Sequence, residues 1–334
     1  MSLTNWWRTT LNPDWFHGHD KAAPFFEGWY YKLIDREQRH KLAVIPGMIR
    51  SGEPHAFIQI LDGNRKTAHY LQFPVDEFVA GRDAFAITIG ANTFSAQGLN
   101  LAIKRPEISI QGELNFTNLK PWPVHLSSPG IMGWYAWVPT MECYHGVVSM
   151  DHGLEGQLEL DGSRLDFSGG RGYMEKDWGR SFPSAWIWMQ SNHFQQPEVS
   201  LTASIAMIPW RATRFRGFIV GLLVDGQLYR FATYTGAKTE SLKVVGKQVD
   251  WVLVGNTQGQ RHRLSIQATR ADAIELAGPT EHDMGKRVPE SLNAQIEVRL
   301  TRLEGQREIE LFHDTGTSAG LEIFNVEEEL LAQP

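Results

Sequence analysis

The chain has 334 residues, enough to bury a large core and, by length alone, to form two domains of ordinary size. Its 32 Lys and Arg against 38 Asp and Glu give a formal charge of −6 with no basic run or patch, which argues against nucleic acid as a partner. A hydrophobic content of 42% with 21% charged residues is that of a soluble globular protein, and the 12 Trp beside 17 Phe suit either a large aromatic core or the lining of an apolar cavity.

The single cysteine, Cys143, excludes an internal disulfide, a CxxC redox pair and a cysteine zinc cage. The opening residues, MSLTNWWRTTLNPDWFHGHD, lack the apolar stretch of a signal peptide. The run FIVGLLV (218–224) is too short to span a membrane as a helix. A cytoplasmic protein without an integral membrane segment is the expectation.

In chain order, FHGHD (16–20) sets His17 and His19 two apart, a fragment of a metal site for which no third ligand is well spaced. Surface histidines fit better, so no metal is expected, and proton transfer is a lesser use. PFFEGWYYKL (24–33) follows, with Glu27, Trp29 and Tyr31 on one face if extended. A carboxylate in so apolar a setting is either paired or raised in pKa by desolvation. HAFIQIL (55–61) ends at Asp62-Gly63-Asn64, and AFAITI (84–89) ends at Gly90. GQLEL (156–160) and FIVGLLV end at Asp161-Gly162 and Asp225-Gly226, the strongest local hairpin signal. QLYRFATY, DWVLVG, RHRLSIQA, AQIEVRL and GLEIF continue the alternation. These patterns predict an all-β chain of fifteen or more strands, closed into barrels or sandwiches to hide the sheet edges. The proline-rich LKPWPVHLSSPG (119–130) is poor strand material and reads as a crossing loop or linker. A boundary is placed between 130 and 170, dividing the chain into residues 1–150 and 151–334.

The densest chemistry lies in RGYMEKDWGRSFPSAWIWMQSNHF (171–194). Alternation puts Tyr173, Glu175 and Asp177 on one face and Lys176 and Trp178 on the other. In SAWIWMQSN it puts Trp186, Trp188, Gln190 and Asn192 together, the lining of an apolar pocket with orienting amides. The turn GRSFPS would join the two pieces as a hairpin. The same residues also fit a structural Glu175–Lys176 ion pair at a turn, with the Trp row as core.

FFEGWYYKL and YMEKDWGRSFPSAWIWMQSNHF resemble the two signature segments of the tocopherol cyclase family. HAFIQILDG, GANTFSA, GWYAWVPTMECYHGVVSM (133–150) and LAGPTEHDMGKRVPESLNAQIEVRL resemble further family segments, so the likeness extends over nearly the whole chain. It favours the pocket reading of the Trp row. It implies two lipocalin-like antiparallel β-barrel or β-sandwich units packed together, as in the wider group with carotenoid hydratases and Diels–Alderases. It further implies acid-catalysed cyclisation of a prenylated hydroquinone to a chromanol. That reaction is redox-neutral and needs no cofactor. Its substrate is an apolar small molecule, which brings peripheral contact with a membrane into view as a route of uptake.

Such chemistry needs an acid in a dry setting, and Asp177, Glu27 and Glu175 are the candidates, in that order. Asp177 stands where the plant-type pattern has Asn, and Arg180 where it often has Gly. Lys176 would lower the pKa of a neighbouring carboxylate, against an acid role for Glu175. Trp29, Tyr31, Tyr173, Lys176, Trp178, Trp186, Trp188, Gln190 and Asn192 are the expected substrate-binding residues. A non-catalytic carrier of an apolar molecule, and a hydratase or pericyclase acting on an isoprenoid or polyene, are the competing readings.

Overall fold

The computed structural model describes residues 3–332. A short helix, α1 (Leu3–Thr10), precedes the strands. No helix among the described residues is long and apolar enough to cross a membrane. The strands β1 (Phe26–Ile34), β2 (Lys41–Ile49), β3 (His55–Asp62), β4 (Thr67–Phe73), β5 (Phe78–Ala80), β6 (Ala86–Ile89), β7 (Asn92–Ser95), β8 (Gly98–Arg105) and β9 (Ile108–Thr117) come first. After the two-residue pieces β10 (Val124–His125) and β11 (Ser128–Pro129) follow β12 (Cys143–Leu160), β13 (Ser163–Asp166) and β14 (Gly170–Gly179). Except for the β10–β11 pair, these form one antiparallel twelve-stranded sheet, ordered β4-β3-β2-β1-β14-β12-β9-β8-β7-β6-β5, with β13 on β12.

The second sheet uses β15 (Trp186–Ser191), β16 (Ser200–Trp210), β17 (Thr213–Val224), β18 (Gln227–Ala232), β19 (Lys238–Val245), β20 (Gln248–Thr257) and β21 (Gln260–Thr269). After the short β22 (Ile274–Gly278) it is completed by β23 (Lys286–Glu304) and β24 (Arg307–Phe324). Its order is β18-β17-β16-β15-β24-β23-β21-β20-β19. Each sheet wraps its own apolar core, with Trp29, Tyr31, Phe94 and Phe167 in the first and Trp251, Phe231 and Phe218 in the second. The protein is thus an all-β chain of two lipocalin-like antiparallel units.

The division falls later than the sequence suggests. The first unit holds residues 1–182 and 275–287, and the second holds 183–274 and 288–334. The 18-residue β12 runs straight through position 150, pairing with β14 at one end and with β9 and β13 at the other. A boundary there would cut a strand that is hydrogen-bonded along its whole length. Residues 119–130 are accordingly no linker but an excursion within the first unit.

The hairpin expected between YMEKDW and WIWMQ does not form. β14 pairs with β1 and β12, whereas β15 pairs with β16 and β24 in the other sheet. Pro183 and the bend around it carry the chain from one unit into the next, so the turn signal was real and its partner strands were misassigned. Asp161-Gly162 and Asp225-Gly226, by contrast, are two-residue hairpin turns with positive φ at both positions.

Candidate active site

The register of β1 on β14 pairs Glu27 with Trp178, Trp29 with Lys176 and Tyr31 with Met174. Because alternate residues face opposite ways, these six side chains share the face that packs the first core. Glu27 and Lys176 therefore stand, fully buried, in an apolar interior. Two buried charges are tolerated there only if they satisfy each other. Lys176 donates to Glu27 Oε1 and, at 2.6 Å, to the carbonyl of Trp15. Its ammonium lies 4.7 Å from the ring centroids of both Trp29 and Trp178.

The remaining valences are met by residues 13–19, which cross the end of this core as a strap. The backbone N–H of His17 donates to both oxygens of Glu27, at 3.1 and 2.9 Å. The Trp29 indole donates to the Asp14 carbonyl at 3.1 Å. Gly18 sits where a Cβ would come within 2.4 Å of the Phe16 and Phe25 rings, so only glycine passes between them. His17 is no surface residue. It is buried, its ring stacked 4.2 Å from Trp178, with Nε2 3.1 Å from the Thr9 carbonyl and Nδ1 3.1 Å from Lys176 Nζ. Nε2 carries a hydrogen to reach the Thr9 carbonyl, and Nδ1 stands between Lys176 Nζ at 3.1 Å and Glu27 Oε1 at 3.2 Å.

The electrostatics follow from burial first. Desolvation pushes the Glu27 carboxyl up, but the Lys176 ammonium and the His17 contacts outweigh it and hold the group below its ordinary range. Desolvation and then Lys176 push His17 down, so its imidazole is neutral. The carboxylate that the sequence marks as a possible acid is therefore the ionised half of an ion pair, and the pKa-lowering effect of Lys176 falls on Glu27.

The opposite face of β14 carries Tyr173, Glu175 and Asp177, as alternation predicts. His145 of β12 is the register partner of Asp177. Its Nδ1 lies 2.9 Å from Asp177 Oδ1 and its Nε2 3.6 Å from Glu175 Oε2, while the Tyr173 hydroxyl donates to the same Glu175 oxygen. Burial alone would lower the imidazole pKa, but the two carboxylates more than reverse it and raise it to about 9. His145 is a cation at neutral pH. Its ligand atom and those of Glu175 and Asp177 lie within 4.8 Å of one another, the one such set among the described residues. Binding a metal there would require expelling the imidazolium proton.

His145 also borders a cavity of about 410 Å³ in the first unit. Trp6, Phe25, Met132, Met141, Tyr144 and Trp178 give it an apolar lining; His17, Lys21 and Arg180 are the other basic side chains on its wall, and no carboxylate lines it. Trp178, stacked 5.4 Å from Tyr144, is the sequence-predicted binding residue that reaches this wall, whereas Trp29 and Tyr31 are packed in the core, the latter donating its hydroxyl to the Ser95 carbonyl.

Trp186, Trp188 and Gln190 do share one face of β15, with Asn192 just beyond its end, and all four are buried. That face is the one turned from the second core, which takes Ala185, Ile187 and Met189 instead. Trp186 stacks 4.4 Å from Phe324 and donates to Glu322 Oε2 at 2.5 Å. The Trp188 ring lies against Gly320, where a Cβ would stand 2.5 Å from it. The amide oxygen of Asn192 is 2.9 Å from His193 Nδ1. None of the four lines the 410 Å³ cavity. His145, which completes the carboxylate cluster, is missed by sequence reasoning. Its one signal is its place in an aromatic-rich segment ending in a strand, and pairing across 32 residues leaves no trace in periodicity.

Two lipocalin-like β units, one with an apolar cavity bordered by His145, which pairs with Asp177 and Glu175, define the class of protein. The chain belongs to the tocopherol cyclase-like family, whose model matches residues 115–324 and so takes in the second signature segment but not the first. It is 34% identical over 154 residues to the chloroplastic tocopherol cyclase of Zea mays and 33% identical over 154 residues to a probable chloroplastic tocopherol cyclase of Oryza sativa subsp. japonica. Each alignment covers 44% of this chain, and the chain spans only 31% and 32% of those relatives. In three dimensions it is similar to CghA, with a TM-score of 0.55 at 13% identity, over 91% of this chain and 90% of that one.

Proposed function

We propose that the protein is a cyclase of the isomerising kind, closing a prenylated hydroquinone to a chromanol in the cavity bordered by His145. The observation that supports this reading is that His145, which borders an apolar cavity, lies 2.9 Å from Asp177 Oδ1 and 3.6 Å from Glu175 Oε2, the two carboxylates themselves standing behind it rather than on the lining. The proton of the His145 cation passes to the less substituted carbon of the nearest prenyl double bond. The phenol oxygen captures the tertiary cation, and the phenol proton returns to the cluster, so mass and oxidation state are unchanged. An acid of pKa about 9 is filled throughout the neutral range but has little driving force. Positioning the oxygen against the alkene and excluding water must then supply much of the acceleration. The indole and phenol rings of Trp6, Trp178 and Tyr144 are suited to a passing cation, a contact worth about 2 kcal/mol when desolvated.

Glu27 and Lys176 belong in this proposal as anchors of the strap that places His17 on the cavity wall. The face of Trp186, Trp188, Gln190 and Asn192 belongs to the second unit and does not line this cavity, so no contact with the hydroquinone is assigned to it. Incubation with a prenyl hydroquinone under reducing, anaerobic conditions tests the reading. A cyclase yields a chromanol of unchanged mass, a hydratase adds the mass of one water, and a carrier binds without turnover. Asp177→Asn, which restores the plant-type residue, should slow turnover if Asp177 helps to hold the proton.

A further inference from the structure

Every residue lining the 410 Å³ cavity belongs to the first unit, and the wall divides by exposure. Lys21, Ala23, Pro139, Thr140 and Arg180 are exposed and mark the mouth. His17, Phe25, Met132, Met141 and Trp178 are buried and form the floor. The mouth is small or polar in its side chains and the floor largely aromatic or thioether, so the apolar grip lies deep. The depth is also fixed. Trp178 is stacked 4.2 Å from His17 and 5.4 Å from Tyr144, and the His17 backbone is tied to the buried Glu27. No lining ring can swing aside there without breaking the ion-paired network beneath it.

A dry cavity of about 150 Å³ takes one benzene, or about 25 Å³ for each non-hydrogen atom. At that density 410 Å³ holds about 16 such atoms. A hydroquinone ring with its two oxygens takes eight and one isoprene unit five, which leaves space for two or three ring methyls but not for a second isoprene unit. We infer, on the reading of this cavity as the site of ring closure, that it recognises the aromatic ring and the first isoprene unit alone, later units passing out through the mouth ungripped. The reacting double bond belongs to that first unit, so ring and unit must both be inside, and the space is then full. A monoprenyl hydroquinone is accordingly as good a ligand as a long-chain one.

The test is a binding series of hydroquinones with saturated side chains of none, five, ten and fifteen carbons, under reducing conditions, followed by quenching of tryptophan emission. A saturated chain cannot be protonated, so the series reports fit whether or not the protein is a cyclase, and turnover is read separately. Kd should fall at least about tenfold from the bare ring to the five-carbon chain and by less than about threefold for each later unit. Ala136→Phe puts one more ring into the wall and should erase the advantage of the five-carbon chain over the bare ring. Met141→Ala frees the space of about three atoms on the floor and should open a gain of about fivefold or more from five to ten carbons. A tenfold gain at every added unit in the wild type, no binding of the five-carbon compound, or a wild-type pattern in both variants would overturn the inference.

Discussion

Lys176 and Glu27 meet inside the first apolar core, and both also hold the backbone of the strap that crosses its end, Lys176 through the Trp15 carbonyl and Glu27 through the His17 N–H. Two segments separated by about 140 residues of sequence thereby fix a third. The fully buried pair is costly to desolvate, and its value lies in the geometry it imposes.

Removing one partner should therefore be far worse than removing both. Lys176→Met strands a buried carboxylate and should cost about 3–5 kcal/mol, as should Glu27→Gln. The double variant should recover a large part of the loss in urea denaturation, because no charge remains unpaired. Equal and additive losses would mean that the two groups are not coupled.

The His145 cluster sets a pH limit on the alkaline side. Its pKa is raised from 6.5 to about 9, so its contribution to stability is complete below the unfolded value and is lost as pH rises through about 9. Turnover that needs the cation should fall over the same range. His145→Gln should remove that alkaline limb from the stability curve and reduce turnover at neutral pH, and a wild-type profile flat to well above pH 9 would speak against the assignment.

His152 sets the acid side. It lies buried against Phe116, neither ring nitrogen having a partner among the described residues, and burial lowers its pKa to about 3. A depressed histidine pKa favours the neutral form, so stability is lost as pH falls from about 6.5 toward 3, on the order of 4–5 kcal/mol in all. His152→Met, apolar and of similar size, should shift acid unfolding to lower pH. An unchanged acid midpoint would show that the ring finds water or another partner in solution.

Gly320 tests the Trp row of the second unit. An added Cβ would stand 2.5 Å from the Trp188 ring, so Gly320→Ala must displace the indole or the strand. A loss of about 1–3 kcal/mol is expected, with a change in near-ultraviolet dichroism.

The sheet architecture was legible because it is local. Alternation in FIVGLLV and GQLEL, and the Asp-Gly turns after them, depend on neighbours in the chain. The faces of the signature segments were legible for the same reason, down to Tyr173, Glu175 and Asp177 standing together. What alternation cannot supply is partnership. That Lys176 answers Glu27 and that His145 answers Asp177 depends on which strands pair, and on a strap, residues 13–19, with no periodicity to read. The hairpin from β14 to β15 failed on the same point, since a turn signal does not say whether the chain returns to its own sheet or leaves it.

The most direct measurement is product formation from a prenylated hydroquinone by the wild type and by His145→Gln, anaerobically, followed by mass spectrometry. The account predicts a chromanol of the substrate's own mass from the wild type, and a fall of about a hundredfold or more in rate for the variant, the usual contribution of a positioned acid. Tight binding of the hydroquinone without any conversion, or a variant as fast as the wild type, would contradict it.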